Sequence, residues 1–203
     1  MVESENYSIQ ALNLLDSLVN EYKIYLKNIR RDTFYFQEIK KLRFNINNKY
    51  RRISDLAEIK NDTTKSNFRI IVYNVDYIDL IISELDNLKL KTKVKGQFII
   101  VKKPKLTFNQ LMTIVDDLEK YKTKFISKCT KAKLEPVLRA KNALENDFID
   151  IVISRETSLN CQKIYEEKEA IINKITNEKI MEILEKEFYE KYLIENPITD
   201  SLK

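Results

Sequence analysis

Apolar residues recur at three- and four-residue steps over residues 8–30: Ile9, Leu12, Leu15, Leu18, Val19, Tyr22, Leu26 and Ile29. That period puts them on one face of a helix, with Ser8 as its N-cap. Lys27, Arg30 and Arg31 fall in its expected last turn, where cations suit the helix dipole. The period is lost between residues 32 and 105. There Ile39, Leu42, Phe44 and Ile46 suggest short strands, and residues 53–59 another short element. Asn61-Asp62-Thr63-Thr64-Lys65 reads as a polar turn. Phe68 to Tyr73 is β-rich, Ile78, Ile81, Ile82, Leu85 and Leu88 trace a helical face, and Phe98 to Val101 is a strand. Gly96, the only glycine, precedes that strand and is expected at positive φ in a turn. Pro104 ends the strand.

The helical period returns after Thr107, the expected N-cap. Leu111, Ile114, Val115, Leu118, Tyr121, Phe125, Cys129, Ala132, Val137, Ala140 and Leu144 carry it. Pro136 is expected to kink this second long helix, because it lacks an N–H and clashes with the preceding turn. A third runs from about Thr157 to about Glu195, capped by Thr157 or Ser158 and ended by Asn196-Pro197. Its apolar face is Cys161, Ile164, Ala170, Ile171, Ile175, Ile180, Ile183, Leu184, Phe188 and Tyr192. The pattern predicts an α+β fold. Three long helices (residues 1–30 and 106–203) form a bundle, and a small α/β domain of β/α/β order (residues 31–105) is inserted after the first helix.

Composition narrows the chemistry. A chain of 203 residues buries a real core. One glycine implies few tight turns and favours long helices. The absence of histidine removes the commonest general base, the usual nucleophilic triad and most zinc sites. One glycine also excludes a P-loop and a dinucleotide fingerprint. Asp116-Asp117 and Glu166-Glu167 read as solvated helix faces, so no catalytic residue, metal or cofactor is expected. Cys129 and Cys161 lack ligand spacing and read as reduced core thiols, as in an intracellular protein. No apolar run approaches the ~20 residues of a membrane span. The acidic start Met1-Val2-Glu3-Ser4-Glu5 resembles neither a signal peptide nor a transit peptide.

The net charge of +5 permits a nucleic-acid partner without requiring one. Three basic groups stand out. One is Lys27, Arg30 and Arg31. The second, on the second long helix, is Lys120, Lys122, Lys124, Lys128, Lys131, Lys133, Arg139 and Lys141, with Glu135 the only acid between Lys120 and Lys141. Such a face suits phosphates, each cation releasing counterions, and it equally suits a solvated lysine face. The third is Lys40-Lys41, Arg43, Lys49 and Arg51-Arg52, with the same two readings. Phe34-Tyr35-Phe36 fits base stacking or, better, the filling of a seam between insert and bundle.

In series, these segments resemble the ribosome recycling factors. Lys27-Asn28-Ile29-Arg30-Arg31-Asp32-Thr33 is similar to that family's Lys-Ile-Arg-Thr-Gly-Arg-Ala, keeping Ile-Arg and lacking Gly-Arg. The family's next strand, its Tyr-Gly-Thr-Pro hairpin and its Leu-x-x-Leu-Ala segment fall on Leu42 to Ile46, Asn48 to Arg51, and Ile53-Ser54-Asp55-Leu56-Ala57. Phe68 to Asn74 resembles the Leu-Lys-Ile-x-Val-Phe-Asp strand, and Ile78 to Lys93 the following helix. Phe98 to Thr107 ends in the same Pro-x-Leu-Thr, and Gln162 to Phe188 resembles the third helix. Lys133-Leu134-Glu135 stands where the family has Arg-Arg-Asp, with Thr130 at the preceding basic position and Lys131 next to it. Lysine keeps the charge there and loses arginine's bidentate fork.

The resemblance implies a monomeric, non-enzymatic translation factor without cofactor, metal or membrane. It would bind the large ribosomal subunit and its rRNA after termination and, with an elongation factor G-type GTPase, take the ribosome apart. Arg30, Arg31, Lys128, Lys131, Lys133 and Arg139 are the implied RNA contacts. Asp32, Thr33, Lys103, Pro104 and Lys105 are the implied hinge. The lost glycine and prolines point to a divergent organellar member, in a mitochondrion or plastid, the cytoplasm being the other compartment. A second reading keeps the fold as a ribosome-associated structural or adaptor protein bound through apolar edges. A third takes the chain as an unrelated helical interaction module.

Overall fold

A computed structural model describes residues 2–61 and 67–196, with side chains over 6–31, 33–60 and 67–196. Asp62 to Lys65 of the expected polar turn, the Asp32 side chain and Pro197 lie outside the described residues. The order is α1 (Val2–Asn28), a 3-10 turn (Arg31–Thr33), α2 (Phe34–Lys41), β1 (Arg43–Ile46), β2 (Lys49–Arg52), α3 (Ile53–Leu56), β3 (Ala57–Asn61) and β4 (Asn67–Val72). A second 3-10 turn (Val75–Tyr77), α4 (Ile78–Asn87), β5 (Lys91–Lys95), β6 (Phe98–Lys102), α5 (Phe108–Glu145) and α6 (Ile151–Glu195) follow. The architecture is α+β. Two compact units divide it, one holding the residues up to Ile29 with those from Phe108 onward, the other Arg30–Thr107.

The first unit is a bundle of α1, α5 and α6, each packed on the other two. From α1 it buries Ala11, Leu15, Val19, Tyr22 and Leu26, a stripe at three- and four-residue spacing. Facing them are Leu111, Val115, Leu118, Phe125, Cys129, Pro136 and Ala140 of α5. Tyr22 lies where the helices meet. Its ring centroid is 5.1 Å from that of Phe125, and its hydroxyl is 2.8 Å from Thr176 Oγ1 on α6. Thr176 spends its own proton on the Ile172 carbonyl at 2.7 Å, so the Tyr22 hydroxyl donates. Burial pushes the Tyr22 pKa up to about 12. Lys168 of α6 also pairs with Asp16 of α1 at 2.6 Å.

Several expectations about helix ends are corrected. Ser8 is no cap, because α1 is already helical from Val2. Only Lys27 lies in its last turn; Arg30 is extended and Arg31 opens the 3-10 turn. Pro136, expected to kink this helix, lies inside α5, which runs on through it to Glu145. The proline forfeits one backbone bond, but it is buried and lies between the packed Cys129 and Ala140. The cap of α6 is Asp150, whose Oδ1 accepts the Ile153 N–H at 2.9 Å. Thr157 is buried inside that helix and Ser158 is exposed. The α6 stripe also differs from the apolar reading. Ala170 and Ile171 face solvent, while Thr157, Ile172 and Thr176 are buried.

The second unit holds a four-stranded antiparallel sheet of order β3-β4-β6-β5 and a separate β1-β2 hairpin. Its core joins Phe68, Ile70, Val72, Ile99 and Val101 of the sheet to Ile78, Ile81 and Leu85 of α4. Phe34 and Tyr35 join this same core. Ile39 is on helix α2, not a strand, and residues 53–59 form α3 followed by β3. The β/α/β order gains β5, a lysine-rich edge strand with almost no apolar signal. Lys49 to Arg51 are strand, the β1-β2 turn being Asn47-Asn48.

Turn chemistry here rests little on glycine. Gly96, at φ 60, opens the two-residue β5-β6 loop as expected. Asn47 and Asn48, at φ 52 and 60, make the β1-β2 turn, where both central residues must be left-handed. Lys89 (φ 57) closes α4. The Leu90 N–H reaches the Leu85 carbonyl at 3.0 Å and the Lys89 N–H that of Asp86 at 2.8 Å, a Schellman pattern. Asp147 (φ 58) closes α5 likewise, through Phe148 to Ala143 and Asp147 to Leu144. Glu185 differs: at φ 56 and ψ 174 it breaks α6 in a region almost reserved for glycine.

Three outcomes are expected. Glu185→Gly raises stability by about 1 kcal/mol or more in urea unfolding, whereas glycine inside an ordinary helix costs about 1 kcal/mol; a loss would show the break to be unstrained. Thr157 Oγ1 is, among the described residues, the one buried side-chain polar atom without a partner. Thr157→Val should therefore stabilise by about 1 kcal/mol, and a lowered denaturation midpoint would contradict this. Finally, burial pushes the Cys129 thiol up to about 11, with nearby Glu169 adding and Lys128 opposing, and it raises Cys161 too. Iodoacetamide at about pH 8 should label Cys129 in the folded chain roughly 100-fold more slowly than in the unfolded chain, the rate growing with pH as thiolate forms. Equal rates in mass spectrometry would refute it.

Candidate nucleic-acid interface

Helix α5 sorts its cations by angular position. Lys120, Lys124 and Lys131 lie on one side, separated by one and three turns, and all are exposed. That side is opposite the buried Leu118, Phe125, Cys129 and Ala140. At about 1.5 Å per residue, Lys124 and Lys131 are about 10 Å apart along the axis. Among the described residues neither forms an ion pair, while Lys120 reaches Asp117 at 3.6 Å. Exposed pairs of that kind contribute at most about 1 kcal/mol, so an approaching phosphate can take Lys120 over.

The other cations of α5 are more occupied. Lys128 sits toward α1, pairing with Glu21 at 3.3 Å, its Nζ 4.7 Å from the Phe125 ring. Lys122 pairs with Glu119 at 2.5 Å, Arg139 with Glu135 at 3.0 Å and Lys141 with Glu145 at 3.9 Å. Lys133 points the other way. Its Nζ donates to Gln162 Oε1 of α6 at 2.8 Å and lies 4.6 Å from the Tyr165 ring. It fastens α5 to α6.

Of the sequence-predicted contacts, Lys131 alone is both outward and without an ion pair among the described residues. Lys128 and Arg139 are exposed but paired, and Lys133 is half-buried. Arg30 and Arg31 belong to the other unit, and each has an interaction partner. Of the expected hinge, the backbone of Asp32 and Thr33 lies in the 3-10 turn, where Thr33 Oγ1 donates to the Arg30 carbonyl at 2.7 Å. Lys103, Pro104 and Lys105 form an irregular stretch between β6 and α5. Lys124 is not among the contacts that the sequence resemblance implies. The i, i+4, i+11 spacing with Lys120 and Lys131 was the signal for it. Leu134 and Leu138, 43% and 54% exposed, continue the same outer side.

No protein-family profile matches the chain, and no curated protein matches it significantly. Among solved structures it is similar to a ribosome recycling factor in solution, with 19% identity and TM-score 0.45, over 90% of this chain and 97% of that one. It is also similar to a chain of a structure of the T. thermophilus ribosome recycling factor and the E. coli elongation factor G bound to the E. coli post-termination complex. There the identity is 14% and the TM-score 0.47, over 89% of this chain and 98% of that one. Likenesses of this size say nothing of what the chain binds.

Proposed function

We propose that the chain is a non-catalytic translation factor of the recycling-factor kind, docking on large-subunit rRNA through the outer side of α5. The observation that carries this reading is the row Lys120, Lys124 and Lys131. Three exposed ammonium groups on one rigid helix, two without ion pairs among the described residues, match a phosphate backbone by charge and displace its counterions. The colinear series of sequence segments supports the ribosomal partner. Lysines in place of an arginine fork supply charge without bidentate geometry, so the contact reads backbone rather than base. On this reading a translocase GTPase of the elongation factor G type drives subunit separation after termination. The chain passes between the units at Ile29–Arg30 and Thr107–Phe108. The neighbouring Asp32, Thr33 and Lys103 to Lys105 are then the residues to absorb a swing.

Leu134 and Leu138 favour a second reading, an adaptor held through an apolar contact on the same side of α5. Salt separates the two. Co-sedimentation with large ribosomal subunits from about 50 to about 300 mM salt should show binding that falls steeply, at about 0.7–0.9 log units per phosphate contact and log unit of salt. Lys124→Glu/Lys131→Glu should weaken it at least ~10-fold at the low-salt end and flatten the slope. Salt-insensitive binding, kept by that variant and lost in Leu134→Ser/Leu138→Ser, would replace the RNA reading by the adaptor reading.

A further inference from the structure

The β1-β2 hairpin stands outside the four-stranded sheet; one face carries the apolar Phe44 and Ile46 with Lys49 and Arg51, and the other has no aliphatic residue. In an antiparallel pair, residues directly opposite share a face. Phe44 and Ile46, opposite Arg51 and Lys49, turn toward the core of the unit. The other face carries Arg43 opposite Arg52 and Asn45 opposite Tyr50. All four are exposed, Tyr50 at 77%.

A cross-strand arginine pair is an unfavourable arrangement in isolation. Cβ atoms directly opposite lie about 5 Å apart, and like charges there repel. Residues 39–54 contain no acid. Of the flanking carboxylates, Glu38 pairs with Lys41 Nζ at 2.6 Å and Glu58 with Lys60 at 3.4 Å, while Asp55 accepts the Arg52 backbone N–H at 2.9 Å and forms no ion pair with the Arg52 side chain. Among the described residues, Arg43, Lys49, Arg51 and Arg52 form no ion pair. An anion between Arg43 and Arg52 turns the repulsion into attraction, and two guanidinium forks suit the oxygens of a phosphate.

Tyr50 chooses among polyanions. It lies on the same face as the arginine pair, two residues along β2 from Arg52, and presents a flat ring for an unpaired base. Asn45, directly opposite, brings an amide able to pair with a base edge. We infer that this hairpin is a single-stranded RNA-binding element in which Arg43 and Arg52 hold a phosphate and Tyr50 stacks on a base. The contact is separate from the one on α5 and is testable without a ribosome.

The test uses the full chain and a fluorescein-labelled single-stranded RNA of about 12 nucleotides and mixed sequence, within the length such grooves track, read by anisotropy across a salt series. Arg43→Gln/Arg52→Gln should weaken binding at least ~10-fold and lower the salt slope by about 0.7, one neutralised phosphate on a single strand. Tyr50→Ala should weaken it about 5-fold or more without changing that slope, stacking being uncharged. Lys163→Gln/Lys174→Gln, an equal charge loss on the exposed face of α6, should stay within about twofold. Removing the opposed charges should also leave the thermal midpoint equal or higher, which separates lost binding from lost folding. The inference is overturned if the wild type does not bind, as expected of basic residues that only guard a sheet edge. It is equally overturned if the hairpin variants bind like wild type, or if binding is lost only in Lys124→Gln/Lys131→Gln, which would assign the RNA to α5. Poly-glutamate bound as tightly as RNA, with Tyr50→Ala neutral, would overturn it in favour of an acidic protein partner.

Discussion

The bundle depends on one buried side chain that touches all three of its helices. Tyr22 leaves α1, packs on Phe125 of α5 and donates its hydroxyl to Thr176 of α6. The bond joins residues 154 positions apart, and its acceptor is satisfied by a helical carbonyl behind it. A phenol and a hydroxyl in an apolar core are stable only when each finds its partner. That requirement fixes the rotation of α1 and α6 about their axes more narrowly than aliphatic packing does. On α5 the burial of Leu118, Phe125, Cys129 and Ala140 against that core turns Lys133 to Gln162 and leaves Lys120, Lys124 and Lys131 facing out. The candidate phosphate row is thus a consequence of how the core is pinned.

Charge is handled differently in the two units. On α5 most cations have an acid three or four residues away or on a neighbouring helix, and the exposed pairs are weak enough to exchange for phosphate. On the β1-β2 hairpin the cations form no ion pair among the described residues, and the register sets two arginines directly opposite each other. The bundle therefore offers a long row of moderate attraction, while the hairpin offers a short, concentrated one with an aromatic beside it.

What was legible in the sequence was periodicity. The stripe Leu15, Val19, Tyr22 and Leu26 gave α1, and Ile78, Ile81 and Leu85 gave α4, because apolar spacing reports burial directly. Two kinds of feature were hidden. Polar residues buried in the core carry no apolar signal: Thr157 has the pattern of a cap and Thr176 that of a surface position, while Ala170 and Ile171 have the spacing of a stripe they do not join. Turns that use Asn47-Asn48, Lys89 and Asp147 where glycine is customary gave little local signal, which hid the hairpin register and the helix ends. The strand β5, Lys-Thr-Lys-Val-Lys, is an edge whose lysines guard it and mask it together. On the site, composition marked the basic run on α5, but charge alone could not tell outward Lys124 from Lys133, whose role depends on a partner on another helix.

The insert splits the bundle in the sequence, and this sets the order in which the protein is made. Helix α1 is synthesised first, yet its buried partners are all on the last two helices. Roughly 80 residues of insert come between, several seconds of synthesis at about 5–20 residues per second. The core of the insert is drawn entirely from residues 34–106, so it can close during that interval while the apolar stripe of α1 waits with nothing to cover it. The nascent chain therefore carries a folded domain and an unsatisfied amphipathic helix at once, an aggregation-prone intermediate of a kind that chaperones hold. Its exposure ends only when α6 emerges and Tyr22 gains the hydroxyl of Thr176.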